Sequence, residues 1–166
     1  MKKDDKYIQQ FERSQRNLPH FEDVGATYFV RFSLEKPAVV SLTTSALAEL
    51  MVGALRYHDG TRYYLYDYVI MPDHLHAILQ PTVGENGSER ITSILYSLKS
   101  WSAKQINLRV GRQGELWQKE GYDHIIRNRQ DYEEKALYIY MNPVKAGLTP
   151  DPADWPWWGR GSGCRL

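Results

Sequence analysis

Cysteine is almost absent. The 166-residue chain has one, Cys164. A single thiol cannot close an intrachain disulfide or build a thiolate metal cluster. Long apolar runs are missing as well, and no stretch approaches the roughly 20 apolar residues of a membrane span. The start, Met1-Lys-Lys-Asp-Asp-Lys, has no apolar segment behind it, so no secretory leader is expected. The resulting expectation is a cytoplasmic, reducing location and no membrane partner. Neither sign of charge dominates: the formal net charge is +1, which neither demands nor excludes nucleic acid. Repeats and dividing linkers are also lacking. What remains is one domain of ordinary composition, 42% apolar and 25% charged. It is rich in aromatics, with twelve Tyr and five Trp, residues that fill cores and can stack on bases.

Residues 1–25 are polar and mixed in charge and read as an arm, with a short helix near Tyr7–Arg13; Arg13 and Arg16 read as solvated surface, with phosphate contact as the alternative. Ala26–Leu34 is β-rich and reads as a strand. Thr43–Tyr57 places Leu47, Leu50, Met51 and Ala54 at helical spacing, with Gly60 just beyond as a left-handed stop. Arg62–Ile70 is a second strand. Met71-Pro72-Asp73 breaks it, because proline cannot donate to a ladder, and His74–Gln80 returns antiparallel. Pro81–Ser88 is a loop. Arg90 to about Leu108 reads as a helix with Ile91, Ile94, Leu95, Leu98 and Trp101 as its stripe. Glu115–Lys119 and Asp123–Arg127 read as short extended pieces. Asn128 caps a last helix, and Pro143 is expected to end it. Trp155 and Trp157 pack back onto the domain, followed by a flexible Gly-Arg-Gly-Ser-Gly. The expected architecture is α+β: a ferredoxin-like antiparallel sheet with helices packed on it, over 26–150, with a tail at 151–166.

Chemistry concentrates in two places. In a strand, side chains alternate, so His74 and His76 share one face and Leu75 anchors the other. Two adjacent imidazoles are a ready pair of metal ligands. Asp73 has the parity of Leu75 and is a poor ligand for the same metal. On the last helix, Tyr138 and Asn142 lie one turn apart on one face. Tyr140 is a rival nucleophile, but it projects about 160° away from Asn142. Each feature alone is more often structural than chemical. Together they suit Mg²⁺ or Mn²⁺ bound with a phosphodiester, and a phenol able to attack phosphorus.

These segments resemble the REP-associated tyrosine transposases of the single-tyrosine HUH superfamily. The resemblance runs through Asn17-Leu-Pro-His-Phe, Gly25-Ala-Thr-Tyr-Phe-Val and Tyr68-Val-Ile-Met-Pro-Asp-His-Leu-His76. It continues in Ser97-Leu-Lys-Ser100, Leu116-Trp-Gln-Lys-Glu-Gly-Tyr-Asp-His-Ile-Ile-Arg127 and Tyr138-Ile-Tyr-Met-Asn-Pro-Val-Lys-Ala-Gly147. It implies metal-dependent cleavage and joining of single-stranded DNA at palindromic hairpins. It also implies His74, His76 and Asn142 as metal ligands, and Tyr138 as the nucleophile of a 5′-phosphotyrosine link. Single-stranded or hairpin DNA is the implied partner, and the protein is a monomer or homodimer. Lys99, Lys104, Arg109 and Arg112 become candidate phosphate contacts. Tyr122 and His124 read as support for the site, with DNA contact as the alternative. A module that only binds structured nucleic acid, and a phosphodiesterase using water, are the competing readings.

Overall fold

The computed structural model describes residues 25–37, 39–119 and 121–165. The expected arm helix, with Arg13 and Arg16, and the Asn17-Leu-Pro-His-Phe segment lie outside the described residues. In chain order come β1 (Thr27–Ser33), α1 (Ser45–Tyr57), β2 (Tyr63–Ile70) and β3 (His74–Pro81). A small hairpin of β4 (Val83–Gly84) and β5 (Gly87–Ser88) follows, then α2 (Ile91–Val110), β6 (Tyr122–Ile126), α3 (Arg129–Lys145) and β7 (Trp158–Arg160). The main sheet is antiparallel, in the order β6-β1-β3-β2-β7. Without β7 this is the ferredoxin-like arrangement: strand, helix, hairpin, helix, strand, with the last strand placed beside the first.

Side-chain alternation divides the interior into two cores. Tyr28, Val30 and Phe32 on β1 join Tyr68 and Ile70 on β2 and Leu75, Ala77 and Leu79 on β3 beneath α1 and α2. Phe29, Val69, Met71 and Ile78 face the other way, against Ile139 of α3. A register shift between Leu65 and Tyr68 exchanges the faces midway along β2. Each fully buried aliphatic side chain stabilises by about 1.5–3 kcal/mol. The larger core therefore carries most of the hydrophobic stability, and α3 depends more on polar ties. Asn128 Oδ1 accepts from the Asp131 N–H at 2.9 Å and caps α3 as expected. Asp131 then accepts from His124 Nε2 at 2.9 Å and pairs with the buried Lys135 at 3.2 Å. Tyr132 donates to the buried Asp67 at 2.6 Å.

Five expectations change, the first being the Pro81–Ser88 loop, where Pro81 ends β3 and Val83–Gly84 pairs with Gly87–Ser88. Pro143 does not end the last helix, which continues to Lys145 and stops at Gly147 with φ 71°. In the final turn a proline forfeits one backbone bond, and the Asn142 carbonyl is satisfied by the Ala146 N–H. Trp101 is 49% exposed. The buried stripe of α2 steps instead from Leu98 to Ser102 and Ile106, because the Ser102 hydroxyl donates to the Leu98 carbonyl and accepts the Trp117 indole N–H. Glu115–Lys119 contributes only a bridge from Trp117 to Leu34, so β6 alone completes that side of the sheet.

The glycine-rich tail is not loose: Trp158–Arg160 pairs with β2 as a fifth strand. Its glycines allow close approach. A Cβ at Gly161 would fall 2.5 Å from the Leu65 carbonyl oxygen, and one at Gly159 would collide with the Tyr68 hydroxyl.

Candidate active site

β3 starts at His74, so the alternation places His74 and His76 on the face beneath α3. Their rings meet edge to face at 5.0 Å. His76 is 2% exposed and stacks on Phe29 at 5.1 Å. Tyr138 comes down from α3 onto both rings, 5.2 Å from His76 and 5.9 Å from Phe29. One turn on, the Asn142 side chain lies near enough to His74 to favour its charged form. All four expected residues therefore converge within one chain.

The polar surroundings are uneven. Asp73 Oδ1 lies 2.7 Å from His74 Nδ1 and fixes that ring's orientation. Burial lowers the His74 pKa despite this carboxylate and Asn142, and the nearby Arg31 charge adds to the lowering. Burial lowers His76 much further, helped by His74 and Arg31, with the Val30 backbone pulling weakly the other way. Both imidazoles are thus held neutral at neutral pH, the state a metal ligand requires. Neither ring nitrogen of His76 makes a well-formed hydrogen bond. Lys145 Nζ sits 5.4 Å from the Tyr138 ring centroid, a cation over the ring face.

Among the described residues no three His, Cys, Asp or Glu side chains gather as a metal cluster. A cation at the histidine pair would need the Asn142 amide and oxygens from outside the chain. Sequence reasoning missed two neighbours of the pair. Asp73 precedes the strand, so parity does not govern it. Arg31 stands opposite His76 only through the β1–β3 register.

The basic residues of α2 lie elsewhere. This helix packs on the opposite face of the sheet from the histidines. Lys99 rests 5.3 Å over Phe32 and donates to the Gln118 carbonyl at 3.1 Å, and burial lowers its pKa. Arg112 is tied to Asn107 and the Glu115 carbonyl. Lys104 and Arg109 project into solvent. His124 ties β6 to α3 through Asp131. Tyr122 stands opposite Arg31 in the ladder.

The ferredoxin-like sheet thus carries a His-x-His strand under a tyrosine-bearing helix. No family model matches the chain. It is 30% identical over 132 residues to the REP-associated tyrosine transposase of Escherichia coli (strain K12), spanning 80% of this chain and 74% of that protein. A Haemophilus influenzae relative named for the same activity is 33% identical over 97 residues, 53% of each chain. The solved structure of a REP-associated tyrosine transposase bound to a REP hairpin superposes with a TM-score of 0.68 and 26% identity, covering 86% of this chain and 81% of that one. The chain belongs to the REP-associated tyrosine transposase family.

Proposed function

We propose that this protein cleaves and rejoins single-stranded DNA beside palindromic hairpins, with Tyr138 as nucleophile. The observation that carries the reading is the descent of Tyr138 onto His76, whose ring meets His74, with Asn142 near His74. The hairpin-bound state of the solved relative supports hairpin DNA as the partner.

The residues present fit a divalent cation, Mg²⁺ or Mn²⁺. His76 has buried, unsatisfied ring nitrogens, which cost about 1–3 kcal/mol when left so. His74, His76 and Asn142 would hold the cation. Bound there, it would supply Lewis-acid stabilisation of a phosphate oxygen.

The chain's own side chains do the rest. Asp73 keeps His74 turned toward the site. Phe29 and His76 fix the Tyr138 ring by edge contacts. A free phenol has a pKa of about 10, so Tyr138 needs its developing charge stabilised, and the Lys145 ammonium does so. The phenol oxygen bonds to phosphorus as its proton leaves. The bond from phosphorus to the 3′ oxygen breaks, and that oxygen takes a proton as a free hydroxyl. The DNA 5′ end stays on Tyr138. Attack by a 3′-hydroxyl reverses the step and expels the phenolate, so joining needs no outside energy.

Incubation with labelled hairpin DNA and Mn²⁺, followed by a denaturing gel, tests this. The expected result is a covalent protein–DNA band that Tyr138→Phe abolishes. A retarded native complex without cleavage would leave only a binding protein. Cut DNA without an adduct, surviving Tyr138→Phe, would mean a hydrolase using water.

A further inference from the structure

Arg31 is a charged residue in the middle of an apolar strand. β1 is an inner strand, flanked by β6 and β3. Parity puts Arg31 with Phe29 and Ser33 on the face beneath α3, while Val30 and Phe32 enter the larger core. The register is specific: Arg31 stands opposite His76, and Ser33 opposite His74. Neighbouring strands lie about 4.8 Å apart, so the Arg–Ser pair runs beside the histidine pair rung for rung. It does so on the β6 side, away from β2.

The guanidinium is pinned at one end. Its Nε donates to Ser33 Oγ at 2.9 Å. Among the described residues no carboxylate pairs with Arg31 and no acceptor meets its two terminal nitrogens. A half-buried arginine is costly without an anion, and its free edge is a planar fork suited to two oxygens of one phosphate. Its charge also opposes any cation at the histidines, and both feel its field. Two like charges side by side are tolerable when an anion lies between them.

We propose that Arg31 grips the non-bridging oxygens of the phosphate that Tyr138 attacks, on the side of the histidine pair facing β6. This assignment rests on the reaction proposed for Tyr138. It makes Arg31 a substrate-binding residue of the site, reached through the sheet register. Its hold strengthens as negative charge gathers on the phosphoryl oxygens.

The test reads binding rather than turnover. A fluorescent hairpin oligonucleotide with a single-stranded flank is bound by the full-length chain without added metal. A neutral methylphosphonate is walked through the flank one phosphate at a time, for wild type, Arg31→Gln and Arg31→Lys. On unmodified DNA, Arg31→Gln is expected to weaken binding about tenfold, as loss of a charge-assisted pair does, and Arg31→Lys less. At one position the methylphosphonate should erase the difference between wild type and Arg31→Gln. That position should be the phosphate wild type joins to Tyr138 in a parallel reaction with Mn²⁺. Equal losses at every position, no loss, or dependence on a phosphate other than the joined one would overturn the proposal. A single Arg31-dependent phosphate with no covalent link in wild type would support the grip while sinking the Tyr138 reaction. Thermal melts of both variants confirm that folded protein is compared.

Discussion

At Asp73, one carboxylate decides how His74 faces its neighbours. Replacing Asp73 with Asn keeps the size and removes the charge that holds the imidazole. Loss of such an orienting partner weakens metal binding by roughly 10–100-fold. Titrating Mn²⁺ against adduct yield should therefore show a rightward shift for Asp73→Asn, with the yield recovered at high metal. An unchanged titration would mean that the 2.7 Å contact does not orient the ring. The histidine pair, Tyr138 and Asn142 are legible from the chain because strand parity and helical spacing are local rules. Asp73 and Arg31 are not legible, for opposite reasons. Asp73 lies in a turn, where parity lapses. The position of Arg31 is fixed by a pairing across more than forty residues, which no local rule contains.

α3 is held over the sheet as much by buried charge as by apolar contact. Asp131 touches His124, the Arg127 N–H and Lys135. Removing one partner of such a partly buried set costs about 1–3 kcal/mol, because the remaining groups are left without compensation. Asp131→Ala should lower the urea midpoint accordingly, and a shift of under about 1 kcal/mol would show that α3 does not need the tie. Burial raises the Asp131 pKa, but His124, the Arg127 N–H and Lys135 together hold it below the usual 3.8. A depressed carboxyl stabilises the fold above its unfolded pKa and loses that contribution as pH falls through the folded one. Wild type should thus lose stability below about pH 4, and the Asp131→Asn variant should show a flatter acid limb there. The start of α3 is legible from Asn128 and its acidic first turn. Its end is not, because Pro143 reads as a stop while the final turn tolerates it.

Across the whole molecule, the tail closes the sheet and locks α3 to it. Arg160 and Tyr132 both bind Asp67, which is 1% exposed, and the Trp155 indole donates to the Ile70 carbonyl. The repeated glycines read as flexibility in sequence, yet close contact with β2 is what requires them. Gly161→Ala should destabilise by about 1–3 kcal/mol through overpacking against Leu65. Gly53→Ala, in α1 with open space around it, should stabilise by about 0.5–1 kcal/mol. Thermal melts of the two variants moving in the same direction would contradict this account. Tyr138 packs on the His76 of its own chain. Mixing Tyr138→Phe protein with His76→Ala protein should restore no adduct, whereas restored adduct would mean that sites are shared between copies.

The Tyr138 phenol is proposed to meet phosphorus beside the two imidazoles. Mass spectrometry of peptides from protein incubated with hairpin DNA and Mn²⁺ tests this. The expected result is a nucleotide joined through its 5′ phosphate to Tyr138 and to no other tyrosine. A nucleotide on Tyr140, or DNA cut with every tyrosine unmodified, would contradict it.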